Sequence, residues 1–182
     1  MRRHLIAGRY GPGDRKPIVA NAGEVPTRLQ LVAGAKVLDH GIGRALSDLA
    51  RFGLRPTEIG LDVLVLAAHV HAADTRLSRS TESQDGWTRE IRLVVPVSDV
   101  GRWDAAEPNL RRLLNFLTGD KWTILFRPRP QRYSTIVPDS DPQLIAPPFD
   151  DVALFSGGLD SLIGAIDALQ AGRTPLLVSH AG

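Results

Sequence analysis

The stretch from Val152 to Val178 constrains the fold more tightly than any other part of the chain. An apolar run, Val152 to Phe155, leads into Ser156-Gly157-Gly158. Asp160-Ser161 then opens a helical pattern in which Leu162, Ala165, Ile166 and Leu169 share one face. Gly172 ends that pattern, and a second apolar run, Leu176–Val178, follows. A strand, a helix and a strand in so short a span form a β-α-β unit, which closes right-handed into a parallel sheet. One such unit cannot bury both faces of a sheet. The chain ends at Gly182, so the expectation is an N-terminal fragment that carries only the first β-α-β unit of a parallel-sheet nucleotide-binding domain.

The turn inside that unit is the clearest chemical signal. Glycines tolerate positive φ and let backbone approach a ligand, while the free N–H groups and dipole of a helix start favour negative charge. Ser156, Gly157, Gly158, Leu159, Asp160 and Ser161 are therefore the candidate phosphate-binding residues, with the two serine hydroxyls as further donors. No lysine stands where a Walker loop needs one, and the glycine spacing is not that of a dinucleotide site.

Upstream, residues 4–7 and 29–33 read as short strands. The loop Tyr10-Gly11-Pro12-Gly13-Asp14-Arg15-Lys16-Pro17 between them invites comparison with a phosphate cradle, but it lacks the Gly-Lys-Ser/Thr ending. Positions 42, 45, 46, 49 and 52 give a helix. A second helix has Thr57 as N-cap and an all-round apolar body, Ile59 to Val70, typical of a buried helix. His69 and His71 point to different sides of it and make a poor metal pair. Alternation over Trp87–Val97 predicts a strand with Trp87, Arg89, Ile91, Leu93 and Val95 on one side, and Pro96 marks it as an edge strand or a strand end. Asp99 caps a helix whose expected buried face is Trp103, Leu110, Leu113, Leu114 and Leu117, with a break or kink at Pro108. Gly119-Asp120 closes that helix, and Lys121–Phe126 gives another strand.

Six prolines between Arg127 and Asp150, with little periodicity, predict a semi-rigid linker. The domains expected are thus an α+β domain over residues 1–126, a linker over 127–150 and the incomplete nucleotide-binding domain over 151–182. Arg127, Arg129 and Arg132, interleaved with Pro128, Pro130 and Tyr133, are candidates for contact with RNA or a phosphate chain. The 22 basic and 20 acidic residues nearly balance, so charge does not decide whether nucleic acid is a partner. Absence of cysteine excludes disulfides and thiolate metal sites in these residues. It fits a cytoplasmic chain, and no run is long enough to span a membrane.

Ser156-Gly157-Gly158-Leu159-Asp160-Ser161 resembles the Ser-Gly-Gly-x-Asp-Ser signature of the PP-loop ATP pyrophosphatases, at every specified position and in the same strand-turn-helix setting. The resemblance implies a loop that grips the β- and γ-phosphates of ATP while a substrate oxygen attacks the α-phosphorus. It implies Mg²⁺ as well, with Asp160 as a ligand, since a hard cation favours carboxylate and phosphate oxygens. Ala153 through Ser161 look most like the 7-cyano-7-deazaguanine synthase branch, which activates a carboxylate with ATP. Two departures stand out. About 150 residues precede the loop here, and the four-cysteine zinc site of those synthases would have to lie beyond Gly182.

Asp85-Gly86-Trp87-Thr88-Arg89, Phe116 through Trp122, and Leu177-Val178-Ser179-His180 are similar to the synthase-like component of Qat anti-phage defence systems. That likeness implies a protein partner from a defence operon. Competing expectations are a nucleotide-sensing or partner-binding module without catalysis, and another PP-loop ligase of the kind used in tRNA thiolation, NAD synthesis or asparagine synthesis.

Overall fold

A computed structural model describes residues 2–11, 13–33, 37–83, 86–136 and 149–179. The elements in order are β1 (Arg3–Arg9), β2 (Glu24–Gln30), β3 (Val32–Ala33), β4 (Val37–Leu38), α1 (Ile42–Arg51), α2 (Glu58–Arg76), α3 (Arg79–Glu82), β5 (Glu90–Val97), α4 (Val100–Thr118), β6 (Lys121–Pro128), a 3-10 turn (Gln131–Tyr133), β7 (Asp151–Leu154), α5 (Leu159–Gln170) and β8 (Pro175–Val178). They fall into two compact units, Met1–Leu49 with Arg55–Asp139, and Ala50–Leu54 with Ser140–Gly182.

The first unit is built on a four-stranded sheet of order β2-β1-β5-β6. Every pairing in it is parallel. Parallel neighbours need crossovers, and α2 and α4 supply them for β5 and β6. The first unit is therefore α/β, not the α+β arrangement that a plain count of strands and helices suggests. Its main core lies on one sheet face, where Ile6, Ile91, Leu93, Val95, Trp122 and Ile124 meet Leu61, Val65 and Trp103 from the helices. On the other face Leu5, Ala7 and Val94 are covered by Ile18 and Ala20 of the loop that follows β1.

Helix boundaries follow local chemistry. Thr57 caps α2 by accepting the Gly60 N–H at 3.1 Å, and Asp99 caps α4 by accepting the Arg102 N–H at 3.1 Å. Gly119 ends α4 in the left-handed region, φ 71°, and returns its N–H to the Asn115 carbonyl at 3.0 Å.

Several expectations fail for identifiable reasons. β5 lies inside the sheet, so of the two readings of Pro96 the edge strand fails and the strand end holds, since β5 stops at Val97. The Pro96 nitrogen faces β1, whose pairing to β5 ends at Val94, so its missing N–H is harmless. Trp87 falls before the strand and stays exposed, although Arg89, Ile91, Leu93 and Val95 are all buried. The α4 helix continues through Pro108. Of its predicted face, Trp103 is buried and Leu110 and Leu114 pack partly on the core, whereas Leu113 and Leu117 are exposed. They line a groove of about 760 Å³ between α2 and α4.

The closest backbone approach in the sheet is at Gly8. A Cβ built there would lie 2.3 Å from His69 Nε2 and 2.9 Å from Pro96 Cδ. Neither neighbour can retreat, because one is a fully buried ring on α2 and the other a proline fixed in β5. Gly8→Ala is therefore expected to destabilise the first unit by about 1–3 kcal/mol through overpacking. Urea unfolding followed by the fluorescence of buried Trp103 and Trp122 is the measurement, and a midpoint equal to wild type would contradict the account.

In the second unit β7 and β8 pair in parallel, with Asp151 opposite Pro175 and Leu154 opposite Val178. Their crossover is α5. Only Ala165 and Ala168 of that helix are buried. Of the face read from the sequence, Ala165 is buried, whereas Leu162, Ile166 and Leu169 are exposed together with Val152, Leu154 and Val178.

Candidate functional site

The candidate turn leaves the carboxyl end of β7, the end at which open α/β sheets bind ligands. The strand is still held there by the Phe155 N–H, which bonds the Val178 carbonyl at 2.8 Å. Gly157 then takes φ +81° with open space where a side chain would stand. That conformation turns the chain without strain only at glycine. Gly158 follows as the N-cap of α5, extended at φ −82° and ψ 165°, and no side chain caps the helix.

The helix begins at Leu159, two residues before the start expected from the sequence, so Asp160 and Ser161 belong to its first turn. Ser161 Oγ donates to the Gly158 carbonyl at 2.8 Å, and Ser156 Oγ lies 3.3 Å from Ser161 Oγ and 3.4 Å from the Gly158 nitrogen. The two hydroxyls thus sit side by side over the turn. Ser156 through Asp160 are exposed and Ser161 half-buried. The structure brings all six candidate residues into one open turn at a helix start, where the amides of residues 159–161 point outward without intrahelical partners.

Among the described residues there is no cluster of three or more acidic or histidine side chains that could hold a metal ion. Asp160 is a single carboxylate in the first turn. It fits Mg²⁺ as that ion is commonly held, by one or two carboxylates with phosphate oxygens and water supplying the rest.

The other candidate residues are placed elsewhere. Residues 127–133, assigned to the linker by their prolines, are part of the first unit: β6 runs to Pro128, and Tyr133 is buried against Tyr10, ring centroids 5.3 Å apart. Residues 137–148 of that linker, and His180, lie outside the described residues. Arg127 is buried and donates to Asp14 and, at 2.8 Å, to the Gly8 carbonyl. Arg129 is buried and donates to Glu58 and Asp62. Neither guanidinium can serve an RNA phosphate, and only Arg132 of the three is exposed. In the loop after β1, Asp14 is committed to Arg127 and to the Tyr10 N–H at 3.1 Å.

What the sequence concealed is the polar network at the carboxyl ends of β1, β5 and β6. Asp62 is fully buried. One of its carboxylate oxygens receives Arg129, and the other receives the Ser98 N–H at 2.9 Å, the Ser98 hydroxyl at 2.7 Å and Trp103 Nε1 at 2.9 Å. Burial pushes the Tyr10 phenol well above its usual range, against the pull of Arg129 stacked 5.7 Å from the ring. At the amino end of the sheet Asp120 binds both Arg89 and Arg79. Burial alone would raise its carboxyl, but the Arg89 hydrogen bonds hold it below the ordinary value. These acids and bases are matched within each group, as in structural ion pairs. The pairing spans 113 residues for Asp14–Arg127 and 67 for Asp62–Arg129, which no local pattern shows.

The chain matches no known family profile, no curated protein and no solved structure. No helix among the described residues is long and apolar enough to cross a membrane.

Proposed function

We propose that the turn from Ser156 to Ser161 binds the phosphates of ATP and that the protein is a synthase-like enzyme that adenylates a carboxylate. The observation that carries this reading is the open turn itself: a positive-φ glycine, a helix start with no side-chain cap and two adjacent hydroxyls, in a stretch exposed from Ser156 to Asp160. Donors so arranged suit the charge that builds on a departing pyrophosphate. A carboxylate oxygen of the substrate attacks the α-phosphorus, and the bond from that phosphorus to the α,β-bridging oxygen breaks. Its electron pair leaves with pyrophosphate, and an acyl adenylate remains. Mg²⁺ would offset phosphate charge, with Asp160 among its ligands.

The resemblance of this turn to the PP-loop enzymes supports the choice of ATP, and its likeness to the deazaguanine synthases supports a 7-deazaguanine carboxylate as substrate. A place in anti-phage defence, with a protein partner from the same operon, rests on the weaker stretches around Trp87 and Phe116–Trp122. Full-length protein given ATP and 7-carboxy-7-deazaguanine is expected to release pyrophosphate, and Ser156→Ala with Asp160→Ala to reduce that release at least about a hundredfold. Unchanged release in the double variant sinks the proposal. ATP binding with no release would make the turn a nucleotide sensor.

A further inference from the structure

Helix α4 carries apolar residues outward as well as inward. Phe116 is 85% exposed, more than any other large apolar side chain among the described residues. Leu113 and Leu117 are each more than half exposed. Spacings of three and four put these side chains on one helical ridge. Beside the ridge lies the groove of about 760 Å³ between α2 and α4, with Leu113 and Leu117 on one wall and Val63, Ala67 and Val70 on the other. Phe116 is not part of its lining and stands on the crest next to it. Exposed Trp87 extends the patch at one end of the groove. Its ring lies close over Gly119 and 5.9 Å from the guanidinium of Arg79, which lines the groove.

Contiguous apolar surface of this kind marks an interaction site. Charge does not choose the occupant, because Asp74 and Arg79, both in the groove lining, are spent on Arg89 and Asp120 at 3.0 Å each. Selection is therefore left to shape. A groove between two helices receives a helical ridge with anchors at i, i+3 and i+4, and α4 presents such a ridge at the border of the groove itself. An isologous interface requires one patch to match itself under a two-fold rotation. A ridge beside a groove meets that requirement: an axis running between them, along the helices, sets each ridge over the other copy's groove.

We propose that this face of the first unit is the interface of a homodimer, in which Phe116 of each copy fills the other's groove between α2 and α4. Phe116 and Trp87 supply the aromatic anchors, and Leu113 and Leu117 close around them. Doubled by symmetry, contact through these side chains and the groove walls is on the order of 1,000 Å², where specific interfaces begin.

Sedimentation of the full chain between about 1 and 300 μM tests this, and a monomer–dimer equilibrium is the expected result. Emission is expected to move to the blue as the dimer forms, because Trp87 is exposed whereas Trp103 and Trp122 are already buried. Phe116→Lys is expected to weaken the dimer at least about thirtyfold, as loss of a central aromatic anchor does. Its urea midpoint under monomeric conditions is expected to match wild type, since the side chain stands in solvent. Ala67→Arg lays a long side chain across the groove from its exposed wall and is expected to weaken the dimer about tenfold or more with Phe116 intact. A monomer throughout the range overturns the proposal and leaves the groove to a partner of another sequence. Assembly that grows past two copies overturns it as well. So does a dimer that both variants leave intact, which would assign the contact to another surface such as the exposed apolar residues of the second unit.

Discussion

Arg129→Met is expected to lower the stability of the first unit by about 3–5 kcal/mol, the usual consequence of removing one partner from a buried ion pair. Arg129 donates to Glu58 Oε2, to Asp62 Oδ1 and, at 3.1 Å, to the Glu58 carbonyl. Asp62 has no exposure to water, so its charge would be left with only the Ser98 and Trp103 donors on the far oxygen. The segment that carries Arg129 would loosen as well, since the Ile136 N–H bonds Glu58 at 2.9 Å. Fluorescence-monitored denaturation reads this directly, because every tryptophan of the chain lies in the first unit.

Arg132→Ala is the matched control. Its side chain is exposed, and the change is expected to stay within about 0.5 kcal/mol. Adding Asp62→Asn to Arg129→Met is expected to recover part of the loss, since the neutral amide removes the unpaired charge. A loss below about 1 kcal/mol for Arg129→Met would show that the network is solvated, contrary to its burial.

Arginines 127 and 129 also show where sequence legibility ends. In the chain they stand among prolines just after a strand, a composition shared by linkers and by nucleic-acid-binding segments. What makes them structural is Asp14, Glu58 and Asp62, supplied by the loop after β1 and the first turn of α2. A buried salt bridge leaves no periodic trace, because its partners are brought together by the sheet order. The α4 leucines miss for the opposite reason. Their helical spacing is real, but spacing defines a face without saying whether anything covers it, and here Leu113 and Leu117 border an open groove.

The second unit was the more legible, because strand, glycine turn and helix are local features. Gly157 and Gly158 mark the turn through conformational need, and the structure puts φ +81° at Gly157. Legibility there concerns the geometry of the turn. In the sequence the helical pattern opens at Asp160-Ser161, whereas α5 starts at Leu159. Gly158 takes the cap position and draws Asp160 into the helix.

Acid is expected to weaken the first unit well above the pH at which carboxylates titrate, and His69 is the cause. Its ring is fully buried between α2 and the sheet. Nδ1 lies 2.7 Å from the Val65 carbonyl. A carbonyl only accepts, so Nδ1 carries the proton. Nε2 is left as a lone pair without a hydrogen bond of normal geometry, close against Gly8. Burial pushes the imidazole down from 6.5 to about 4, and the nearby carbonyls of Val65 and Val94 offset only part of that. The unfolded chain therefore binds a proton that the folded chain refuses between those values. Stability from this residue is complete above pH 6.5 and lost as pH falls toward 4, a total of roughly 3 kcal/mol and about 2 kcal/mol by pH 5. Glu24 and Asp120, held below their ordinary values of 4.5 and 3.8, contribute in the same direction but only at lower pH. The interval from pH 7 to pH 5 thus separates His69 from these carboxylates, and the His69 variant separates it from the other histidines. Denaturation across it is expected to show the decline in wild type and a nearly flat profile in His69→Gln, which keeps a donor for Val65 and cannot take a charge. Parallel slopes in the two proteins would move the cause away from His69.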